Sequence, residues 1–139
     1  MASFHVLLVD DEVAFLEALA KRLRKRNIDT TLSSSAKEAL RILGETPVDV
    51  VVLDLKMPGM DGIEAVRAIK RATPLVEVIM LTGHASVEAA MEGMELGAFD
   101  YLTKPVDIEE LVYKLQDANR KKSIEEEEIR LMQQARPPR

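Results

Sequence analysis

The sequence predicts an α/β fold, a parallel sheet with helices on both faces, and three observations carry that prediction. Val50-Val51-Val52-Leu53 is a continuous apolar run that ends in Asp54, with the turn signal Pro58-Gly59 close behind. Phe4-His5-Val6-Leu7-Leu8-Val9 repeats the pattern and ends in Asp10, Asp11 and Glu12. Runs of this kind read as strands buried on both faces. The third observation is alternation: five strand-like stretches and five amphipathic ones follow one another on short connections, which specifies helices packed about a parallel sheet.

Each element has its own signal. After the first strand, Phe15, Leu16, Leu19 and Leu23 recur at helical spacing between Val13 and Arg26, with basic residues in the last turns. Asn27 is the stop, and Ile28-Asp29-Thr30-Thr31-Leu32-Ser33 alternates like a half-exposed strand. Ser34 or Ser35 caps a helix over Ala36–Leu43 with Ala39, Leu40 and Leu43 inward, closed by Gly44 and Pro47. The strand at Asp54 leads through Pro58-Gly59-Met60-Asp61-Gly62 to a helix with Ile63, Val66 and Ile69 inward, running to about Ala72. Val76–Leu81 is the fourth strand. A helix from Ser86 or Val87 to Leu96 follows, and its Ala89, Ala90, Met91 and Met94 predict a weak anchor. Gly97 is its C-cap, Ala98–Leu102 a short fifth strand, and the last core helix starts near Asp107 with Ile108, Leu111, Val112 and Leu115 on one face.

Beyond Asp117 the composition changes, with Lys121-Lys122, the run Glu125–Glu128 and a close of Arg136-Pro137-Pro138-Arg139. Heptads continued from Leu111 place Lys122 and Glu125 in the seam, a poor coiled coil. The reading is a folded domain over 1–119 and a charged helical extension or linker over 120–139, with a partner-binding or dimerising helix as the alternative.

The composition narrows the function. At 139 residues one domain is expected, and 47% hydrophobic against 31% charged residues fits a soluble globular protein. With no cysteine, disulfides and thiolate metal sites are excluded. No run approaches the ~18 apolar residues of a membrane span, and no signal peptide is visible, so the cytoplasm is the expected home. A net charge of −5 and few aromatics give no reason to expect direct nucleic-acid binding.

Ligands of open α/β sheets bind at the carboxyl ends of the strands. Asp10 and Asp11, Asp54, Thr82 and Lys104 all fall at such ends. Taken singly, Asp54 and Thr82 could be capping residues, Lys104 a surface lysine, and Asp10 and Asp11 partners of a helix dipole. Together they form a site. Crowded carboxylates repel unless a proton or cation relieves them, and oxygen ligands in an incomplete cage suit Mg²⁺. Asp11 and Asp54 are the direct ligands in this reading, with Asp10 acting through water. A carboxylate beside Mg²⁺ can attack a phosphoryl group and hold it as an acyl phosphate. Lys104 and Thr82 are suited to the charge on its oxygens, and Gly83 leaves the position open.

The blocks Val9-Asp10-Asp11-Glu12, Leu53-Asp54-Leu55-Lys56-Met57-Pro58-Gly59-Met60-Asp61-Gly62, Leu81-Thr82-Gly83-His84 and Tyr101-Leu102-Thr103-Lys104-Pro105 resemble the receiver domain of two-component response regulators. The likeness covers about Phe4 to Asn119. It implies a flavodoxin-like three-layer sandwich with strand order 2-1-3-4-5, Asp54 as phosphoacceptor, and Asp10 and Asp11 as the acidic pair. It also implies the backbone carbonyl of Lys56 as a further Mg²⁺ ligand, Lys104 in contact with Asp54 and the phosphoryl group, and a cis peptide at Lys104-Pro105. Thr82 and Tyr101 would be the switch residues, biasing the surface of the fourth helix, last strand and last helix, while Lys56 and His84 stand at positions that tune the phosphoryl lifetime, with a solvent-facing loop residue as the alternative for His84. A sensor histidine kinase or phosphotransfer protein is the implied donor, and an unknown downstream protein, or a second copy, the implied partner of that surface. The domain is then a phosphorylation-controlled module and not an enzyme, beyond handling its own phosphoryl group. The alternatives are a fragment of a larger transcriptional regulator such as a sigma-54 activator, and a binding module that works unphosphorylated. A phosphatase of the haloacid dehalogenase type needs an acid two residues after its nucleophile, where Lys56 stands.

Overall fold

The computed structural model describes residues 4–56, 61–83 and 87–135. The expected turn at Pro58-Gly59-Met60, His84, the helix start at Ser86 and the terminal Arg136–Arg139 lie outside these. The sheet holds β1 (His5–Val9), β2 (Asp29–Ser33), β3 (Val50–Asp54), β4 (Glu77–Thr82) and β5 (Asp100–Thr103), all parallel and in the order β2-β1-β3-β4-β5. The helices are α1 (Val13–Arg24), α2 (Ala36–Glu45), α3 (Gly62–Ala72), α4 (Val87–Glu95) and α5 (Ile108–Ala135).

Side chains of successive strand residues point to opposite faces, and the core divides accordingly. Leu7, Val9, Val51, Leu53, Val78 and Met80 pack against α2, α3 and α4. Val6, Leu8, Val50, Val52, Ile79 and Leu81 pack against α1 and α5. β3 is buried along its whole length, as its apolar run requires.

Boundaries differ from expectation by a residue or two, each for a local reason. α1 stops at Arg24 and not Arg26, because Asn27 takes φ 62° and the Ile28 N–H turns back to the Leu23 carbonyl. Gly44 does not close α2, which runs on to Glu45 before Thr46 and Pro47 break it. Its buried stripe is Ala36, Ala39, Ile42 and Leu43, with Leu40 only partly buried. Ser35, not Ser34, caps it, its hydroxyl accepting from the Glu38 N–H. α3 begins at Gly62, where a Cβ would come within 2.6 Å of the Leu55 backbone, so only glycine permits that approach. β4 and β5 each start later than expected, at Glu77 and Asp100.

α4 buries only Ala90 and Gly93 and leaves Val87, Met91 and Met94 exposed. A Cβ on Gly93 would lie 2.2 Å from the Met80 sulfur. α4 ends as expected at Gly97, φ 107°, in a Schellman arrangement of Ala98 N–H to Gly93 O and Gly97 N–H to Met94 O. α5 is capped by Asp107, which accepts from the N–H groups of Glu109 and Glu110. Leu111, Leu115 and Ala118 bury its first three turns, and the helix then continues unbroken through the charged region to Ala135. No described helix is long and apolar enough to cross a membrane.

Candidate functional site

Parallel pairing in this register brings the strand ends level: Val9 lies opposite Leu53, Asp54 opposite Leu81, and Thr82 opposite Thr103. Asp10, Asp54 and Thr82 are buried, whereas Asp11 is exposed. The side chains of Asp10, Asp11 and Asp54 each offer an oxygen within 4.8 Å of the others, and this is the one such cluster among the described residues. Two backbone donors orient the acids: the Glu12 N–H gives to Asp10 Oδ1 at 3.0 Å and the Lys56 N–H to Asp54 Oδ1 at 3.2 Å.

Lys104 reaches the cluster from the end of β5. Its backbone N–H donates to the Thr82 carbonyl at 2.8 Å, which ties the two strand ends. Its Nζ lies 2.9 Å from Asp10 Oδ2 and 3.6 Å from Asp54 Oδ2, so Asp10 is the closer partner. The Lys104-Pro105 peptide is cis. The Thr82 hydroxyl donates to the Gly83 carbonyl at 2.6 Å. Tyr101 is half-buried against the α2–α3–α4 side of the core.

Burial, and next the charge of Asp10, raise the pKa of Asp54 above its usual value, with the Lys56 hydrogen bond and the Lys104 charge opposing. For Lys104 burial works against the charge, but the bond to Asp10 and the charges of Asp54, Asp10 and Glu12 outweigh it and the pKa is raised. One ammonium against three carboxylates leaves negative charge uncompensated. An all-oxygen, partly open donor set of this kind fits Mg²⁺.

Asp10, Asp11, Asp54 and Lys104, predicted from separate strand ends, meet in one place, with Thr82 at the neighbouring strand end. Two participants escaped the sequence reading. Phe15, which its spacing marked as a core-facing helix residue, places its ring centroid 4.4 Å from Lys104 Nζ. Glu12 contributes its backbone N–H and not only its charge. The only sequence signal for Phe15 was an aromatic in the first turn after the acids.

The profile of the response regulator receiver domain matches residues 6–116. A putative NtrX-like response regulator of Rickettsia felis is 34% identical over 133 residues, 94% of this chain and 28% of its own length. The transcriptional regulatory protein GlrR of Escherichia coli is 39% identical over 114 residues, 82% of this chain and 26% of its own. A response regulator receiver domain from Clostridium thermocellum superposes with a TM-score of 0.84 at 36% identity, covering 87% of this chain and 98% of that one. The chain thus spans little more than a quarter of these curated relatives.

Proposed function

This chain belongs to the response regulator receiver family, and from that premise we propose that Asp54 takes a phosphoryl group from a sensor histidine kinase or phosphotransfer protein. Receiver domains are signalling modules, in general not enzymes. The observation that carries the reading is the position of Lys104 Nζ, paired at once with Asp10 and with Asp54 at the mouth of the acid cluster.

Asp11, Asp54 and the Lys56 backbone carbonyl would hold Mg²⁺, with Asp10 acting through water. Bound there, the ion offsets the repulsion of the acids and draws charge from the phosphoryl oxygens. An Asp54 oxygen attacks phosphorus while the bond to the donor's imidazole nitrogen breaks and that ring leaves. Lys104 donates to a phosphoryl oxygen. Hydrolysis reverses the state: water attacks phosphorus, phosphate departs and the carboxylate is restored.

The switch uses groups already placed for it. The Thr82 hydroxyl leaves the Gly83 carbonyl for a phosphoryl oxygen, and Tyr101 turns further inward. The surface that changes is α4-β5-α5, where α4 has the thinnest anchor. It serves an unidentified downstream protein or a second copy of the chain. Lys56 and His84 tune the lifetime. In this reading residues 1–119 are a cytoplasmic receiver and 120–139 its charged helical extension or linker, the whole being the receiver part of a larger regulator. The match to about a quarter of each curated relative supports that last point.

With Mg²⁺ and acetyl phosphate, intact-mass measurement should show one added phosphoryl group on the wild type and none on Asp54→Asn. Equal modification of both would remove Asp54 from its role.

A further inference from the structure

We propose that Phe15 is a positioning residue for Lys104, its ring face holding the ammonium over Asp10 and Asp54. The proposal rests on the reading of Asp54 as phosphoacceptor. An ammonium carries three N–H bonds and no acceptor. Around Lys104 Nζ stand Asp10 Oδ2 at 2.9 Å, Asp54 Oδ2 at 3.6 Å and the Phe15 ring centroid at 4.4 Å. Two carboxylates and one aromatic face therefore flank the nitrogen, on a side chain that is three-quarters buried.

The ring's quadrupole attracts a cation over its face, most strongly where water is kept away. Phe15 sits in the first turn of α1, whose Leu16, Leu19 and Leu23 are buried, so the backbone that carries the ring is fixed. Phe15 also lines, with Ala18, Leu19, Arg22, Pro105 and Val106, an open cleft of about 230 Å³. The ring thus touches both the cleft and the ammonium. Replaced by an aliphatic side chain, it would leave the lysine on its flexible four-carbon stem free to turn toward the water of the cleft.

An aromatic series separates this role from packing. With acetyl phosphate and Mg²⁺, which need no protein partner, the phosphorylation rate should fall roughly three- to tenfold in Phe15→Leu and Phe15→Met. Phe15→Tyr and Phe15→Trp should stay within about twofold of wild type, since both keep a π face. In unmodified protein, NMR should place the Lys104 Hε protons upfield by the ring current in wild type and Phe15→Tyr, and return them to ordinary values in Phe15→Leu. Wild-type rates in the folded aliphatic variants, or no recovery in the aromatic ones, would overturn the proposal. If wild type itself takes no phosphoryl group, the phosphoacceptor reading fails, and the ring-current shift still decides where the ammonium is held.

Discussion

The two edges of the sheet treat buried acid in opposite ways. At the carboxyl edge, the buried Asp10 and Asp54 share one ammonium, that of Lys104, with the exposed Asp11 clustered beside them. At the amino edge, Glu77 is 1% exposed, yet it is met by Lys121 at 2.7 Å and Lys70 at 3.4 Å. Asp49 beside it pairs with Lys122 at 3.1 Å. A matched buried carboxylate is a structural element, whereas an undermatched cluster is unstable until something else arrives. The difference sets the candidate binding edge apart from the edge that serves as foundation.

Four measurements can break or sharpen that contrast. Replacing both Lys70 and Lys121 by Met strands Glu77 and should cost about 3 kcal/mol in urea unfolding. A loss below about 1 kcal/mol would mean that the amino edge does not depend on its pairing. Mg²⁺ at a hundredfold excess over its Kd should stabilise the wild type by about 2.7 kcal/mol. Asp11→Asn should lose most of that gain, and the amino-edge variant none of it.

Asp54→Asn should stabilise the metal-free protein at neutral pH by something on the order of 1 kcal/mol, by removing one of three crowded charges. The sign of its pH dependence follows from the raised pKa of Asp54. Between the usual value of 3.8 and the raised one, the folded state keeps a proton that the unfolded state has released, so rising pH erodes stability through that window. The gain from Asn should therefore be full above the window and vanish toward pH 3.8, as thermal melts in EDTA would show. The smallest effect, about 0.5 kcal/mol, is expected for Lys122→Ala, whose partly exposed pairs with Asp49 and Glu126 have ready substitutes in water.

What the sequence made legible follows the same division. The carboxyl edge could be read because each acid there ends an apolar run, a pattern visible within ten residues. Glu77 could not, since a lone acid at the start of Val76–Leu81 looks like any strand polar position, and its partners Lys70 and Lys121 come from two different helices. Phe15 was hidden for a related reason: helical spacing says that it faces inward, not that a lysine from β5 waits there. Charged seam positions argued against a coiled coil and left the region beyond Asp117 as a helical extension or a linker. One of them, Lys122, answers to Asp49, a residue far away in the chain. The order of the strands came from the family likeness, because periodicity fixes which residues are buried but not which strands are neighbours.

The length of α5 has a mechanical consequence. Its 28 residues make a rod about 42 Å long. Residues 120–135 project past the last core contact by about 24 Å, so a tilt of roughly 10° where the rod leaves the sheet swings its tip by about 4 Å. Lys121 and Lys122 pair near that pivot with Glu77, the first residue of β4, and Asp49, the residue just before β3, and the far ends of those two strands carry Thr82 and Asp54. The direction of the rod is therefore held at the amino edge of the sheet, opposite the edge that carries the acids.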